Sequence, residues 1–221
     1  MGRRNGSQVV VSGAAAQRPA ALFAPRHGLN MPPSGRVQSS MRWLTAVVLV
    51  SASLMAGAQP ARIVLLRHAE KPADPTLIHL TEEGQKRASH LSRWLIQAKV
   101  LGTNGLPAAL YAAAPSPHGR SVRCVETLQP TADRLSLPLN LGYAAADYRR
   151  LAHDLLRDRS LKGKTVVICW VHECLPELAA DLGVKPEPPK WKDKDFESVY
   201  IITFPEGRAS LDVIRQKFKV Q

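Results

Sequence analysis

The chain of 221 residues is long enough for one α/β domain and too short for two of ordinary size. Hydrophobic residues make up 45% of it, which excludes a chain that is disordered throughout. Of its 30 basic residues, six lie in residues 1–58, where no acidic residue occurs, and the other 24 accompany 18 acidic residues. This remainder is only modestly basic, and no basic stripe alternates with aromatic residues, so the sequence predicts no nucleic-acid partner.

Residues 41–58 have the three parts of a secretory signal peptide. A short basic start (41–43) precedes an apolar run (44–55) that is too short to span a bilayer, and small residues follow at 56–58. The pattern predicts cleavage before Gln59, export to the periplasm or the medium, and no stable membrane insertion afterwards. Residues 1–40 are either a disordered extension or the product of a start codon placed too early, and residues 59–221 form the domain.

The first half of the domain alternates between strand and helix patterns. Residues 61–66 form an apolar run typical of a buried strand, and the run ends abruptly at Arg67. Thr81 is placed to cap a helix that continues to about residue 98, with two acidic residues in its first turn. Residues 108–113 predict a second buried strand.

The second half continues the alternation. Helices are predicted at 122–135 and 146–156, followed by a strand at 165–169, a helix from Pro176 to Leu182, and strands at 199–204 and 211–218. Strands that alternate with helices predict an α/β fold. We expect a three-layer α/β/α sandwich with a mostly parallel central sheet and helices on both faces.

Charged side chains follow the predicted strands where ligands bind in such sheets. Arg67 and His68 follow the first strand, His172 follows the strand at 165–169, and Arg120 and Arg123 follow the strand at 108–113. Arginine forks bind phosphate oxygens in pairs, and a neutral imidazole can accept a phosphoryl group. The sequence therefore predicts a phosphoryl pocket at this edge of the sheet.

Four segments, in order, resemble the histidine phosphatase superfamily, also called phosphoglycerate mutase-like. They are the Arg-His-Ala-Glu run at 67–70, the Leu-Thr-Glu-Glu-Gly run at 80–84, the Arg-Cys-Val-Glu-Thr run at 123–127, and the strand at 166–172 that ends in histidine. The match spans about residues 61–183. It implies a small exported hydrolase of phosphoric monoesters, of the histidine acid phosphatase type.

The resemblance also implies roles for four residues. His68 is the nucleophile that becomes phosphorylated, and Arg67, Arg123 and His172 bind the phosphoryl group of a small phosphorylated substrate. The family's hydrolases need neither a metal nor an organic cofactor. No residue pattern specifies an oligomeric state.

The proton donor has several candidates. In the acid phosphatase branch an acidic residue follows the second histidine, and Glu173 holds that place here. In the mutase-like branch the acid lies between the second arginine and the second histidine, which makes Asp147 the alternative, with Glu70 third. Arg120, one helical turn before Arg123, is expected near the rim of the site.

Competing interpretations remain open at this point. Cys169 and Cys174 are close enough in sequence to pair, but we expect them to be small buried apolar residues, and no CxxC motif predicts a zinc site. A non-catalytic phosphate-binding or regulatory protein that retains the fold is the alternative function. A signal peptide disfavours a glycolytic mutase.

Overall fold

The computed structural model describes residues 59–97 and 99–216, so the predicted N-terminal extension and signal peptide lie outside the described residues. The strands are β1 (Arg62–Arg67), β2 (Ala109–Ala112), β3 (Leu139–Asn140), β4 (Thr165–Trp170), β5 (Ser198–Thr203) and β6 (Ser210–Arg215). The helices are α1 (Glu82–Gln97), α2 (Arg123–Leu135), α3 (Tyr148–Arg157) and α4 (Leu175–Asp181).

The sheet has the strand order β3-β2-β4-β1-β5-β6. The first four strands are parallel, whereas β5 and β6 add an antiparallel edge. In the β1–β4 pair Arg67 lies beside Trp170, so the chain leaves both strands at the same edge. This register brings the residues after β1 and the residues after β4 together.

The core explains why the two central strands are so apolar. Residues 63–66 of β1 and 166–170 of β4 are fully buried, because helices cover both faces of the sheet. Helix α1 packs on α2, and α3 packs on α4, which gives the predicted three-layer α/β/α sandwich with a mostly parallel sheet. Within the described residues, no helix combines the length and apolarity that crossing a bilayer requires.

Several boundaries differ from the sequence-based expectation. The two-residue strand β3 lies where a loop was expected, and α3 begins at Tyr148 rather than residue 146 because residues 145–147 form a separate 3₁₀ turn. Strand β6 ends at Arg215, and the predicted continuation to residue 218 extends beyond the described residues. Thr81 caps α1 as expected, since its hydroxyl oxygen accepts a hydrogen bond from the Gly84 amide at 3.1 Å.

The cysteines form no disulfide in the described structure. Cys124, Cys169 and Cys174 are all free, and the first two are buried. Burial raises the pKa of the Cys169 thiol well above its ordinary value, with the neighbouring Cys124 adding to the effect. Cys169 is therefore a small apolar core residue, as expected from the sequence.

Candidate active site

The ends of β1 and β4 bring together the residues that the sequence singled out. His68 follows β1 directly, and its amide donates to the carbonyl oxygen of Trp170 at 3.3 Å. His172 follows β4 after a single intervening residue. His68 is 3% exposed and His172 6% exposed, so both imidazoles are buried at the same edge of the sheet.

His68 is held as a neutral imidazole with one defined tautomer. Its Nδ1 lies 2.7 Å from the carbonyl oxygen of Ala69, and because a carbonyl can only accept, Nδ1 carries the hydrogen. Burial, reinforced by the positive charges of Arg67 and Arg123, lowers the pKa of His68 to about 3. Nε2 therefore keeps an unprotonated lone pair even in mildly acidic solution.

The Arg67 guanidinium is hydrogen-bonded through one nitrogen, and its other two nitrogens have no partner in the described structure. Its Nη1 donates to three backbone carbonyls of the segment 190–197, those of Lys192, Asp193 and Asp195. The Phe196 ring lies 4.2 Å from the guanidinium carbon. Nε and Nη2 are buried and find no hydrogen-bond partner among the described residues. These two atoms form one edge of the guanidinium fork, the edge that binds two oxygens of one oxyanion.

Arg123 begins α2 and lies close enough to His68 for its charge to help lower the pKa of that imidazole. Its Nη2 donates to the carbonyl oxygen of Leu77 at 2.9 Å, which fixes the side chain against the loop before α1. Its Nε is buried and, within the described part of the chain, has no hydrogen-bond partner. Since buried N–H groups are nearly always paired, these open donors on two arginines indicate a site for an anion.

Two residues of the third motif, Glu126 and Thr127, fix the loops after β1 and before α1 to α2. The Thr127 hydroxyl oxygen accepts from the Ala69 amide at 2.9 Å and donates to the Arg123 carbonyl at 2.7 Å. Glu126 accepts from the Leu80 amide at 2.8 Å and contacts His79 Nδ1 at 2.5 Å. The motif that carries Arg123 therefore also fixes the backbone on both sides of the site.

His172 lies between two carboxylates. Its Nε2 is 3.0 Å from Asp193 Oδ1, and this contact lowers the pKa of Asp193 below its ordinary value. Its Nδ1 is 2.9 Å from Glu173 Oε2, although these atoms do not align as a hydrogen bond. The Glu173 side chain is 67% exposed, so it reaches from the second histidine into solvent.

The other predicted acids lie apart from the imidazoles. Glu70 pairs with the buried Arg87 on α1, at 2.6 Å from Nε, so its carboxylate serves the packing of the loop on that helix. Asp147 accepts from the Ala144 amide at 2.8 Å and contacts Arg150 on the same surface. Arg120 is exposed before α2, and its place at the rim of the site stays a prediction.

The segment 190–197 is the part of the site that the sequence did not predict. Its backbone carbonyls anchor Arg67, and its Asp193 carboxylate contacts His172. In the sequence this segment reads as a solvated run of lysine and aspartate. The structure fixes the run to the sheet through Trp191, which is buried with its ring centroid 4.6 Å from that of Tyr200 on β5.

The burial of neutral His68 predicts a loss of stability in acid. Its pKa falls from 6.5 to about 3 on folding, so between these values the unfolded chain binds a proton that the folded chain does not. This contribution to stability is fully present above pH 6.5 and declines by about 1.4 kcal/mol per pH unit as the pH falls towards about 3. On moving from about pH 7 to about pH 5, urea titrations should show wild type losing about 2 kcal/mol more than His68→Asn. Equal losses would contradict a buried neutral imidazole.

A second prediction concerns the hydrogen bond between α2 and the loop that follows β1. Thr127→Val keeps the shape of the side chain but leaves the buried Ala69 amide without a partner, which costs about 1–3 kcal/mol of unfolding free energy. Thr131→Val is the matched control, because Thr131 is equally buried on α2 and its hydroxyl has no partner in the described structure. The control should change stability by less than about 1 kcal/mol. Equal costs in urea titrations would show that the Ala69 contact contributes nothing.

Comparisons with known proteins support the fold. No family model matches the sequence, and no curated protein matches it. Among solved structures, a candidate alpha-ribazole-5′-P phosphatase from Escherichia coli K-12 MG1655 is 14% identical, covering 72% of this chain and 98% of its own, with a TM-score of 0.51. An alpha-ribazole phosphatase from Shigella flexneri is 14% identical, covering 70% of this chain and 96% of its own, with a TM-score of 0.49. The protein histidine phosphatase SixA, complexed with tungstate, is 16% identical, covering 70% of this chain and 96% of its own, with a TM-score of 0.47.

At these identities the likeness concerns the fold alone. The E. coli structure matches nearly its whole length to the described domain. The chain therefore has the phosphoglycerate mutase-like fold of the histidine phosphatases, which the four sequence motifs predicted.

Proposed function

We propose that this protein hydrolyses phosphomonoesters through a phosphohistidine intermediate on His68. One observation carries the proposal: a neutral buried imidazole with a free Nε2 lies beside two arginines whose buried donors have no partner in the described structure. A phosphoryl group would supply oxygens to those donors and phosphorus to Nε2. The similarity of the fold to solved phosphatases is consistent with this chemistry but is not evidence for it.

The first half of the reaction transfers the phosphoryl group to the protein. The lone pair of His68 Nε2 forms a bond to phosphorus while the bond from phosphorus to the ester oxygen breaks. Arg67 and Arg123 bind the phosphoryl oxygens and stabilise the charge that develops on them. His172 joins them when its Nε2, which contacts Asp193 in this structure, donates to a phosphoryl oxygen instead. The departing oxygen takes a proton from the carboxylic acid of Glu173, the acid nearest to the second histidine.

The second half releases phosphate. Water attacks phosphorus and gives a proton to the Glu173 carboxylate, and the bond between Nε2 and phosphorus breaks. His68 returns to its neutral form, and throughout the reaction its Nδ1 keeps its hydrogen, which it donates to the Ala69 carbonyl oxygen. No oxidant or metal enters this balance, and the described residues contain no cluster of metal-binding side chains.

A hydrolysis assay tests the proposal. The purified protein is expected to hydrolyse p-nitrophenyl phosphate between about pH 4 and pH 8, with full activity in the presence of a chelator and inhibition by vanadate. Vanadate binding without hydrolysis would favour a non-catalytic phosphate-binding protein. Neither hydrolysis nor vanadate binding would reject the assignment of the site.

We also propose that the protein acts outside the cytoplasm, in the periplasm or the medium. The support is the signal-peptide pattern of residues 41–58, which lies outside the described residues. Amino-terminal sequencing of the protein from the periplasm or the medium is expected to begin at Gln59. A cytoplasmic protein that retains residues 41–58 would refute export.

A further inference from the structure

A cavity of about 340 Å³ opens beside the second histidine. It lies between α4 and the segment 190–197, and His172 and Glu173 form part of its wall. Acidic side chains in its wall outnumber lysines by four to one. The wall contains Lys190 and the carboxylates of Glu173, Glu177, Glu187 and Asp193.

The position of the cavity identifies the part of the substrate that it receives. This step rests on the proposed function, in which Glu173 protonates the departing ester oxygen. A proton donor must come within hydrogen-bond distance of that oxygen, so the alcohol of the ester lies on the side of Glu173. The phosphoryl group lies on the arginines, and the cavity therefore holds the leaving group.

Two of the four carboxylates, Glu173 and Asp193, contact His172, whereas the other two have no basic partner in the described structure. Within residues 59–97 and 99–216, neither Glu177 nor Glu187 forms an ion pair, and both are exposed to the cavity. Lys192 and Lys194 line a second cavity beside β5 and β6, whose wall also includes Lys190 and Asp195. Of the three lysines of the segment 190–197, Lys190 alone therefore lines the carboxylate-rich cavity.

A second feature of the wall is the position of His172. His172 is 6% exposed, and its Nδ1 lies 2.9 Å from Glu173 Oε2 without the alignment of a hydrogen bond. A buried polar atom is ordinarily paired, so a ligand in the cavity that aligns with Nδ1 would be favoured. The leaving group is thus expected to be polar as well as compatible with the surrounding negative charge.

We propose that this cavity selects phosphomonoesters whose alcohol carries a positively charged amine, the phosphates of amino alcohols. An ammonium group two carbons from the ester oxygen would lie among Glu173, Glu177 and Glu187, while a carboxylate in its place would be repelled. The selecting carboxylates are partly in water, so their effect is moderate and is screened by salt.

Three esters of similar size test the proposal with the complete protein. O-Phosphoethanolamine, n-propyl phosphate and 2-phosphoglycolate carry a positive, a neutral and a negative leaving group. The expected order of kcat/KM follows that sequence, with each step about tenfold at low ionic strength. The steps should shrink in about 0.5 M sodium chloride, where the Debye length is short.

A double variant assigns the preference to this cavity. Glu177→Gln with Glu187→Gln removes two charges that take no part in the reaction, and the preference for O-phosphoethanolamine over n-propyl phosphate should fall at least about threefold. The kcat/KM for n-propyl phosphate should change less than the kcat/KM for O-phosphoethanolamine. Glu83→Gln with Glu206→Gln is the matched control, because it removes equal charge from exposed positions on α1 and in the turn before β6 and should keep the preference.

The outcomes separate this proposal from the proposed function. Equal kcat/KM values for the three esters, or a preference for 2-phosphoglycolate, would overturn the selection and leave the hydrolase intact. A preference that survives the double variant would overturn its assignment to this cavity. If neither these esters nor p-nitrophenyl phosphate is hydrolysed, the proposed function fails and the selection fails with it.

Discussion

Replacing His68 with alanine is expected to lower kcat for p-nitrophenyl phosphate by at least about 10⁴-fold. The imidazole supplies an unprotonated lone pair that is held beside the open arginine donors. Arg67 and Arg123 remain in the variant, so vanadate should still bind. Steady-state kinetics and vanadate inhibition would separate loss of the nucleophile from loss of the anion site.

Two controls accompany this variant. His153→Ala removes an exposed imidazole from α3 and should leave kcat unchanged. Circular dichroism and thermal unfolding should show that His68→Ala keeps the fold. A folded His68→Ala protein that retains more than about one tenth of wild-type kcat would mean that another group accepts the phosphoryl group.

The convergence of the site could be predicted because it follows from the sheet. Apolar runs at β1 and β4 indicate buried parallel strands, and the carboxyl ends of neighbouring parallel strands meet at one edge. The residues directly after those strands, His68 and His172, therefore come together without any knowledge of the loops. The four motifs add the order of the elements, which the structure confirms.

The segment 190–197 could not be predicted, because its contacts with the site are made largely by backbone. Arg67 donates to the carbonyl of Lys192, 125 residues away, and every residue of any type offers such a carbonyl. Asp193 contacts His172 from a run of alternating lysine and aspartate that reads as solvated surface. Periodicity and motifs carry no information about such pairs.

Glu70 illustrates a different limit. It lies two residues from His68 and reads as a possible proton donor, but its carboxylate pairs with Arg87 on α1. Gly84, which lies one helical turn before Arg87 on α1, packs directly on the Glu70 backbone, so no side chain separates the loop from the helix. Proximity in sequence does not determine the direction of a side chain. The Glu70 side chain points towards α1 because the loop packs on that helix.

The second large effect is expected from Arg67→Lys, which keeps the positive charge and removes the fork. Arginine meets two demands at once, because Nη1 binds the carbonyls of the segment 190–197 while Nε and Nη2 stay free for oxyanions. A single ammonium cannot do both. We expect kcat to fall by about 10²–10³-fold and vanadate inhibition to weaken in parallel, both measured by steady-state kinetics.

Arg93→Lys, an exposed change on α1, is the control and should leave both quantities unaltered. If Arg67→Lys lowers the unfolding temperature but leaves kcat within about threefold of wild type, the arginine is needed for the segment 190–197 and not for the phosphoryl group. If instead kcat and vanadate binding fall together in a folded protein, the open edge of the fork is the oxyanion site. The geometry favours the second result, since anchoring Nη1 alone would leave two buried donors permanently unpaired, at a cost that proteins rarely carry without a ligand to offset it.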